Sequence, residues 1–215
     1  MNLSRAVFCD FDGTITTQDT FVSMLEKFAP EAAAQLLPAI FRREITLKAG
    51  IHKTLGSIPA IYYESIIEFM SHQPIRSELP EFIDFLNDRQ VPLIVISGGL
   101  TVMVEAVLER HQLLDKITAI YAGDVDASGE FLTVHSTLES DTEFIAKAMV
   151  MAKYPAQEKI AIGDSVTDIN MSLAADLVFA RDRLIDYLDL EYQPYVRWQN
   201  FGEIKNYLTA HWQPS

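Results

Sequence analysis

Apolar residues fall in short unbroken runs at 6–9 (AVFC), 92–96 (PLIVI), 117–121 (ITAIY), 159–163 (KIAIG) and 177–180 (LVFA). Runs of that length without polar alternation predict strands buried on both faces. Between and after them the apolar spacing changes to three and four, which predicts helices over Glu81–Arg89, Thr101–His111, Asp141–Lys153, Val166–Ala175 and Arg183–Leu190. Strands alternating with helices predict an α/β fold, a Rossmann-like parallel sheet with helices on both faces. The stretch from Asp19 to about Ser71 breaks the alternation. It carries no strand pattern but four helical segments, TFVSMLEKFA, EAAAQLLPAIFRR, TLKAGIHKTL and PAIYYESIIEFM, separated by Pro30, by 44–46 and by 56–58. Residues 19–71 are therefore expected to form a helical cap inserted after the first strand, with 1–18 and 72–215 making the core. The segment 123–135 (GDVDASGEFLTVH) reads as a hairpin turning at Ala127–Gly129, and VRWQNFGEIKNYLTAHW as a last short strand and a closing helix.

Composition narrows the partners. With 49% hydrophobic and 22% charged residues in 215, the chain is an ordinary globular protein, long enough for one large domain or a core with a small insertion. A net charge of -13 repels nucleic acid and anionic membrane surfaces, so neither is an expected partner. A phosphate-bearing ligand would need a local cation or aimed backbone N–H groups. Cys9 is the single cysteine, which excludes an internal disulfide and a thiolate metal site and suits a reducing cytosol. No apolar h-region precedes VFCD and no run approaches the length of a membrane span, so a cytoplasmic protein is expected. Nothing in the composition addresses oligomeric state.

Three stretches share one position, the carboxyl end of a predicted strand: Asp10-Phe11-Asp12-Gly13-Thr14, Ser97-Gly98-Gly99, and Gly163-Asp164-Ser165-Val166-Thr167-Asp168. In an open α/β sheet that edge is where ligands bind, so the three can meet although distant in sequence. Asp10 and Asp12 have the same parity, so their like charges would lie on one side unless a cation, a shared proton or solvent offsets them. Several carboxylates, a hydroxyl and no sulfur suit Mg²⁺ rather than Zn²⁺. Gly98 and Gly99 permit close backbone approach to an anion and open the helix near Thr101, favouring a phosphate there. Taken singly, each stretch also reads as a turn or a helix cap. Asp124–Gly129 begins like a calcium loop, but its twelfth position is His135 and no helices flank it, so a hairpin turn is expected.

Asp10-Phe11-Asp12-Gly13-Thr14, Ser97 and Gly163-Asp164 with Asp168 resemble the haloacid dehalogenase superfamily of phosphohydrolases, in the arrangement of its phosphoserine-phosphatase-like branch, over nearly the whole chain. The resemblance implies a Mg²⁺-dependent phosphatase acting on a small phosphomonoester. It makes Asp10 the nucleophile and Asp12 the general acid and base. It also implies metal ligation by the Asp10 carboxylate, the Asp12 main-chain carbonyl and Asp164, support from Asp168 behind the ligands, and phosphate oxygens on Ser97 and the Gly98 N–H.

The same resemblance calls for a Lys or Arg at the start of the helix preceding the strand that ends in Asp164. Ser140 to Glu143 reads as a capping box, which starts that helix near Asp141 and leaves Lys147 six residues inside, about 9 Å down the axis. Lys147, Arg181, Lys48 and Lys53 are the candidates for the cation. An absent cation would favour an alternative, a catalytically weak phospho-ligand-binding or regulatory protein on the same fold. In the cap, Ala49 and Thr54 stand roughly where phosphoserine phosphatases carry a Glu and an Arg, which disfavours phosphoserine and leaves other small phosphomonoesters open. Met24, Phe28, Phe41, Tyr62 and Tyr63 are candidates for an apolar pocket, with plain core as the competing reading.

Overall fold

A computed structural model describes residues 3–213. Its centre is β1 (Leu3–Cys9), paired in parallel with β2 (Leu93–Leu100) on one side and β5 (Ala156–Gly163) on the other. With β3 (Ala119–Asp126), β4 (Thr133–His135), β6 (Leu177–Ala180) and β7 (Val196–Arg197), the sheet runs in the order β4-β3-β2-β1-β5-β6-β7. Every pairing is parallel except β3 with β4, the predicted hairpin, where Asp124 faces His135 and the Asp126 carboxylate accepts the Ser128 N–H at its turn.

Alternation along the strands divides the core. Ala6, Phe8, Ile94, Ile96 and Ala161 face one side, packed with α7 (Lys147–Ala152), α8 (Ile169–Leu173) and helices from 20–71. Val7, Cys9, Leu93, Val95, Ile160 and Ile162 face the other, against α5 (Leu79–Asp88), α6 (Thr101–Arg110) and α10 (Phe201–His211). Helices thus cover both faces, which is why these strands read as continuous apolar runs. Chain order reverses at β1 and β5, and that switch opens a crevice beyond their carboxyl ends.

Between β1 and α5 the chain forms α1 (Thr20–Phe28), α2 (Pro30–Phe41), α3 (Leu47–Leu55), a 3-10 turn at Ala60–Tyr62 and α4 (Tyr63–Ser71). Asp19 and Thr46 cap α1 and α3 by accepting the N–H groups of Val22 and Ala49. After β6, α9 (Asp182–Leu190) follows.

Three expectations need correction. The helix predicted over Asp141–Lys153 spans only Lys147–Ala152. Ser140 Oγ does accept the Glu143 N–H at 2.9 Å, but the Glu143 carboxylate bonds Asn170 Nδ2 instead of returning to its cap. Ala146 N–H donates to the Leu138 carbonyl, so 138–146 closes as a loop and the helix opens at Lys147. The segment from Val166 is a 3-10 turn to Asp168 followed by α8, which ends at Leu173. Finally, β2 runs past its predicted end to Leu100, with an irregular register between Ile96 and Leu100 that displaces Ser97, Gly98 and Gly99 from regular pairing.

Candidate active site

The first loop leaves β1 under tight backbone control. Asp10 N–H donates to the Ile162 carbonyl of β5 at 2.9 Å, so Asp10 still belongs to the sheet. Gly13 turns the chain with φ +86°, a left-handed conformation that costs a side-chain-bearing residue dearly. A Cβ there would also overlap the Asp164 carboxylate, so the glycine lets the two loops approach each other. Arg76, buried at 9% exposure, donates to the carbonyls of Gly13 (2.6 Å), Thr14 (2.9 Å) and Thr16 (3.1 Å) and clamps the turn from below.

The loops after β1 and β5 converge on one cation. Lys147 Nζ donates to Asp10 Oδ1 at 2.5 Å and to Asp168 Oδ1 at 2.6 Å, and the lysine is 1% exposed. Asp168 Oδ2 accepts the N–H groups of Asp164 (2.9 Å) and Ser165 (3.1 Å), while Thr14 Oγ1 donates to Asp164 Oδ1 at 3.1 Å. Asp12 is held separately, by Thr20 Oγ1 on one oxygen and Ser97 Oγ on the other at 2.8 Å. Ser97 in turn accepts the Gly99 N–H at 2.9 Å. Gly98 and Gly99 line the cavity above these acids.

Burial sets the protonation balance. It pushes the Asp10 carboxyl up to about 7, reinforced by the Asp168 charge and opposed by Lys147. Burial also raises Asp12, against the hydrogen bonds from Thr20 and Ser97, and raises Asp164 well above the carboxylate range, with Asp10 and Asp168 adding to it. For Lys147 burial works the other way, but the Asp10 and Asp168 carboxylates outweigh it and hold the ammonium above the usual lysine range. A raised Asp12 is what a proton donor near neutral pH requires.

The donor set fits a hard divalent cation. One oxygen each from Asp10, Asp164 and Asp168 lies within 4.8 Å of the others. Of the four buried or half-buried carboxyls here, Asp10 and Asp168 bond the Lys147 ammonium, and the candidate ligands are all oxygen, as Mg²⁺ prefers. Both oxygens of Asp168 are already engaged, by Lys147 and by two N–H groups, which leaves Asp10 and Asp164 as the freer carboxylates.

The structure therefore brings together all six residues singled out in the sequence, Asp10, Asp12, Ser97, Gly98, Asp164 and Asp168. Of the four candidate cations, Lys147 is the one bonded to these acids. Lys48 instead pairs with Glu139, Arg181 with Asp182, and Lys53 is exposed. Sequence reasoning missed Thr20 and Arg76, and named Thr14 only as part of the first motif, with no role. Thr14 and Thr20 flank the acids in sequence, but Arg76 carries no local signal, because its partners are main-chain carbonyls some 60 residues earlier.

Most of the aromatic and Met candidates of 19–71 stay out of the site, as the competing reading had it. A cavity of about 60 Å³ lies over Asp10 and Asp12, walled by Phe21, Val22, Leu37, Ile40, Phe41 and residues of α3. Of the five aromatic and Met candidates only Phe41 lines it. Met24 is fully buried core, and Phe28 packs on Tyr62 and Phe69. From α3 the cavity receives Leu47 and Ile51, whereas the Thr54 hydroxyl bonds its own helix at Gly50. Asp19 borders the cavity too, its carboxyl raised to about 7 by burial and by the Asp12 charge.

Comparison with known proteins agrees with this geometry. A model of the haloacid dehalogenase-like hydrolase family matches residues 7–172. A protein of Microcystis aeruginosa (strain NIES-843 / IAM M-2473) named 2-hydroxy-3-keto-5-methylthiopentenyl-1-phosphate phosphatase is 54% identical over 206 residues, covering 96% of this chain and 98% of its own. One of the same name from Bacillus cereus (strain G9842) is 35% identical over 214 residues, covering 96% of each chain. Among solved structures, a phosphoserine phosphatase holding a phospho-aspartyl intermediate analogue superposes with TM-score 0.74 at 19% identity, covering 96% of this chain and 99% of the other. At that identity the likeness speaks for the fold alone.

Proposed function

The chain belongs to the haloacid dehalogenase-like hydrolase family, and from that membership we propose that it is a Mg²⁺-dependent phosphomonoesterase acting on 2-hydroxy-3-keto-5-methylthiopentenyl-1-phosphate in methionine salvage, as a cytoplasmic enzyme. The observation that carries the reading is Lys147, a buried ammonium bonded to Asp10 and Asp168 beside Asp12 and Asp164. The substrate follows the names of the close relatives, and the apolar wall of Leu37, Ile40, Phe41, Leu47 and Ile51 suits a thioether tail. Residues 19–71 serve as the cap that supplies this wall, and 1–18 with 72–215 as the catalytic core.

In this reading an Asp10 carboxylate oxygen attacks phosphorus while the bond to the leaving oxygen breaks, and the Asp12 carboxyl gives that oxygen its proton. The Asp12 carboxylate then takes a proton from water, which attacks the acyl phosphate and frees Asp10 and inorganic phosphate. Lys147 neutralises Asp10 and the phosphoryl oxygens through both displacements, and Asp168 holds Lys147 in place. Ser97 Oγ turns from Asp12 to a phosphate oxygen, joined by the Gly98 N–H. The Asp10 carboxylate, the Asp12 main-chain carbonyl and Asp164 would hold a Mg²⁺, which would supply charge neutralisation for the attack of one anion on another. The alternative of a non-turning phospho-ligand protein rested on a missing cation, and Lys147 removes that motive. Phosphate release from the named ester should require Mg²⁺ and vanish in Asp10→Asn. No release by the wild-type protein with Mg²⁺ present would overturn the reading.

A further inference from the structure

The cavity over Asp10 holds about 60 Å³, roughly two waters' worth of volume, whereas small-molecule sites run to about 300 Å³ or more. A groove of about 560 Å³ lies directly outside it, between α1, α2 and α9. Val22, Leu37 and Phe41 line both spaces and are the partition between them. An ester whose phosphate reaches Asp10 can place its other end against this partition or beyond it, in the largest of the spaces that border the inner cavity.

Phe41 differs from the other two in being held from α9. It is the last residue of α2, where helix carbonyls lack intrahelical partners, and its carbonyl accepts the Tyr187 hydroxyl at 2.8 Å. Its ring lies 4.0 Å from the Arg183 guanidinium carbon, in cation–π contact. Arg183 and Tyr187 are four residues apart on one face of α9. The first turn of α9 is itself fastened to the acid loop, because Leu184 N–H donates to the Asp164 carbonyl at 2.8 Å. A short chain of contacts therefore references the position of Phe41 to Asp164.

We propose that Arg183 and Tyr187 are positioning residues that act through Phe41, seating it between inner cavity and outer groove so that the enzyme selects phosphate esters with an apolar tail. The inference rests on the phosphomonoesterase reading. The two side chains do not touch the reacting atoms. They fix the depth and polarity of the space behind the phosphoryl group, and weakening either lets Phe41 swing and loosens the grip on an apolar tail only.

The test uses the magnesium-loaded enzyme and measures dissociation constants for n-pentylphosphonate and methylphosphonate by calorimetry, beside KM and kcat for n-pentyl phosphate. Arg183→Met and Tyr187→Phe should each weaken pentylphosphonate binding about three- to fivefold, and together about tenfold or more. Methylphosphonate binding should stay within about twofold, kcat should hold while KM rises, and Arg183→Lys, which keeps a cation over the ring, should recover part of the loss. Equal weakening of both phosphonates, or no change in their ratio, overturns the proposal. Binding is read without turnover, so an inactive wild-type protein would count against the phosphatase reading while the ratio still decides this one.

Discussion

Replacing Lys147 by Met removes the one ammonium at the centre of the site while keeping most of its volume. Asp10 and Asp168 are 3% and 0% exposed, so the substitution leaves two buried carboxylates without their shared partner. Breaking one side of such a pair typically costs about 3–5 kcal/mol. That cost applies only while the acids are ionised. Losing the ammonium removes a charge that opposes the rise of the Asp10 carboxyl, so Asp10 in the folded variant keeps its proton to higher pH than in the folded wild type. The stability difference must then shrink as pH falls, by about 1.4 kcal/mol per pH unit for each extra proton held. Urea unfolding with EDTA present should give a deficit of about 3–5 kcal/mol near pH 8 and a smaller one near pH 5, where Asp10 is protonated in both proteins. With Mg²⁺, kcat should fall about 10²–10³-fold, the usual loss on deleting one preorganised charge-stabilising group. A deficit that is flat across pH, or a variant with wild-type kcat, would falsify the role given to this lysine.

Arg76→Met should destabilise the protein by about 3–5 kcal/mol, because three carbonyls lose charge-assisted bonds in a buried site. Arg76→Lys should restore only part of this, since one ammonium cannot reproduce the guanidinium fork, and a loss below about 1 kcal/mol in denaturant titration would contradict the clamp. Gly13→Ala combines a disfavoured φ with overlap on Asp164, so kcat should drop and the Mg²⁺ concentration for half-maximal activity should rise. An unchanged Mg²⁺ requirement would show that the two loops need no such close approach. Without metal, the Asp10 carboxyl titrates near 7 in the folded protein against 3.8 in the unfolded chain, so the folded state holds a proton that the unfolded chain releases. Stability from Asp10 is therefore lost as pH rises from about 4 to about 7, on the order of 4 kcal/mol, and Mg²⁺ should flatten that slope. Metal-free stability that instead climbs between about pH 5 and pH 8 would refute the assignment of Asp10 as a buried, neutralised acid.

The sheet was legible in the sequence because β1, β2, β5 and β6 are buried on both faces, and burial of that kind writes itself as an unbroken apolar run. The acids were legible for a related reason. Strands that end at one edge place their last residues together, so Asp10, Ser97 and Asp164 could be grouped without knowing any distance. The helical segments of 19–71 showed as a change of period, and their caps at Asp19 and Thr46 followed local rules. Where the reading failed, a distant residue had outbid a local one. The Ser140 cap signal was half right, since its hydroxyl does take the Glu143 N–H. Asn170, 27 residues further on, claimed the Glu143 carboxylate and undid the cap.

That single competition explains why Lys147 could not be ranked. On a helix starting near Asp141 it is a flanking residue one and a half turns inside; on the helix that forms, it is the first residue, at the edge where the acids lie. The sequence by itself determined the strand order's active edge, the carboxylates on it and the turn at Gly13, because these depend on parity, period and backbone permissiveness. Only tertiary structure decided which cation answers the acids, which apolar side chains wall the cavity and which arginine clamps its loop. Those depend on pairings between segments far apart in the chain, and no local pattern of residues encodes them.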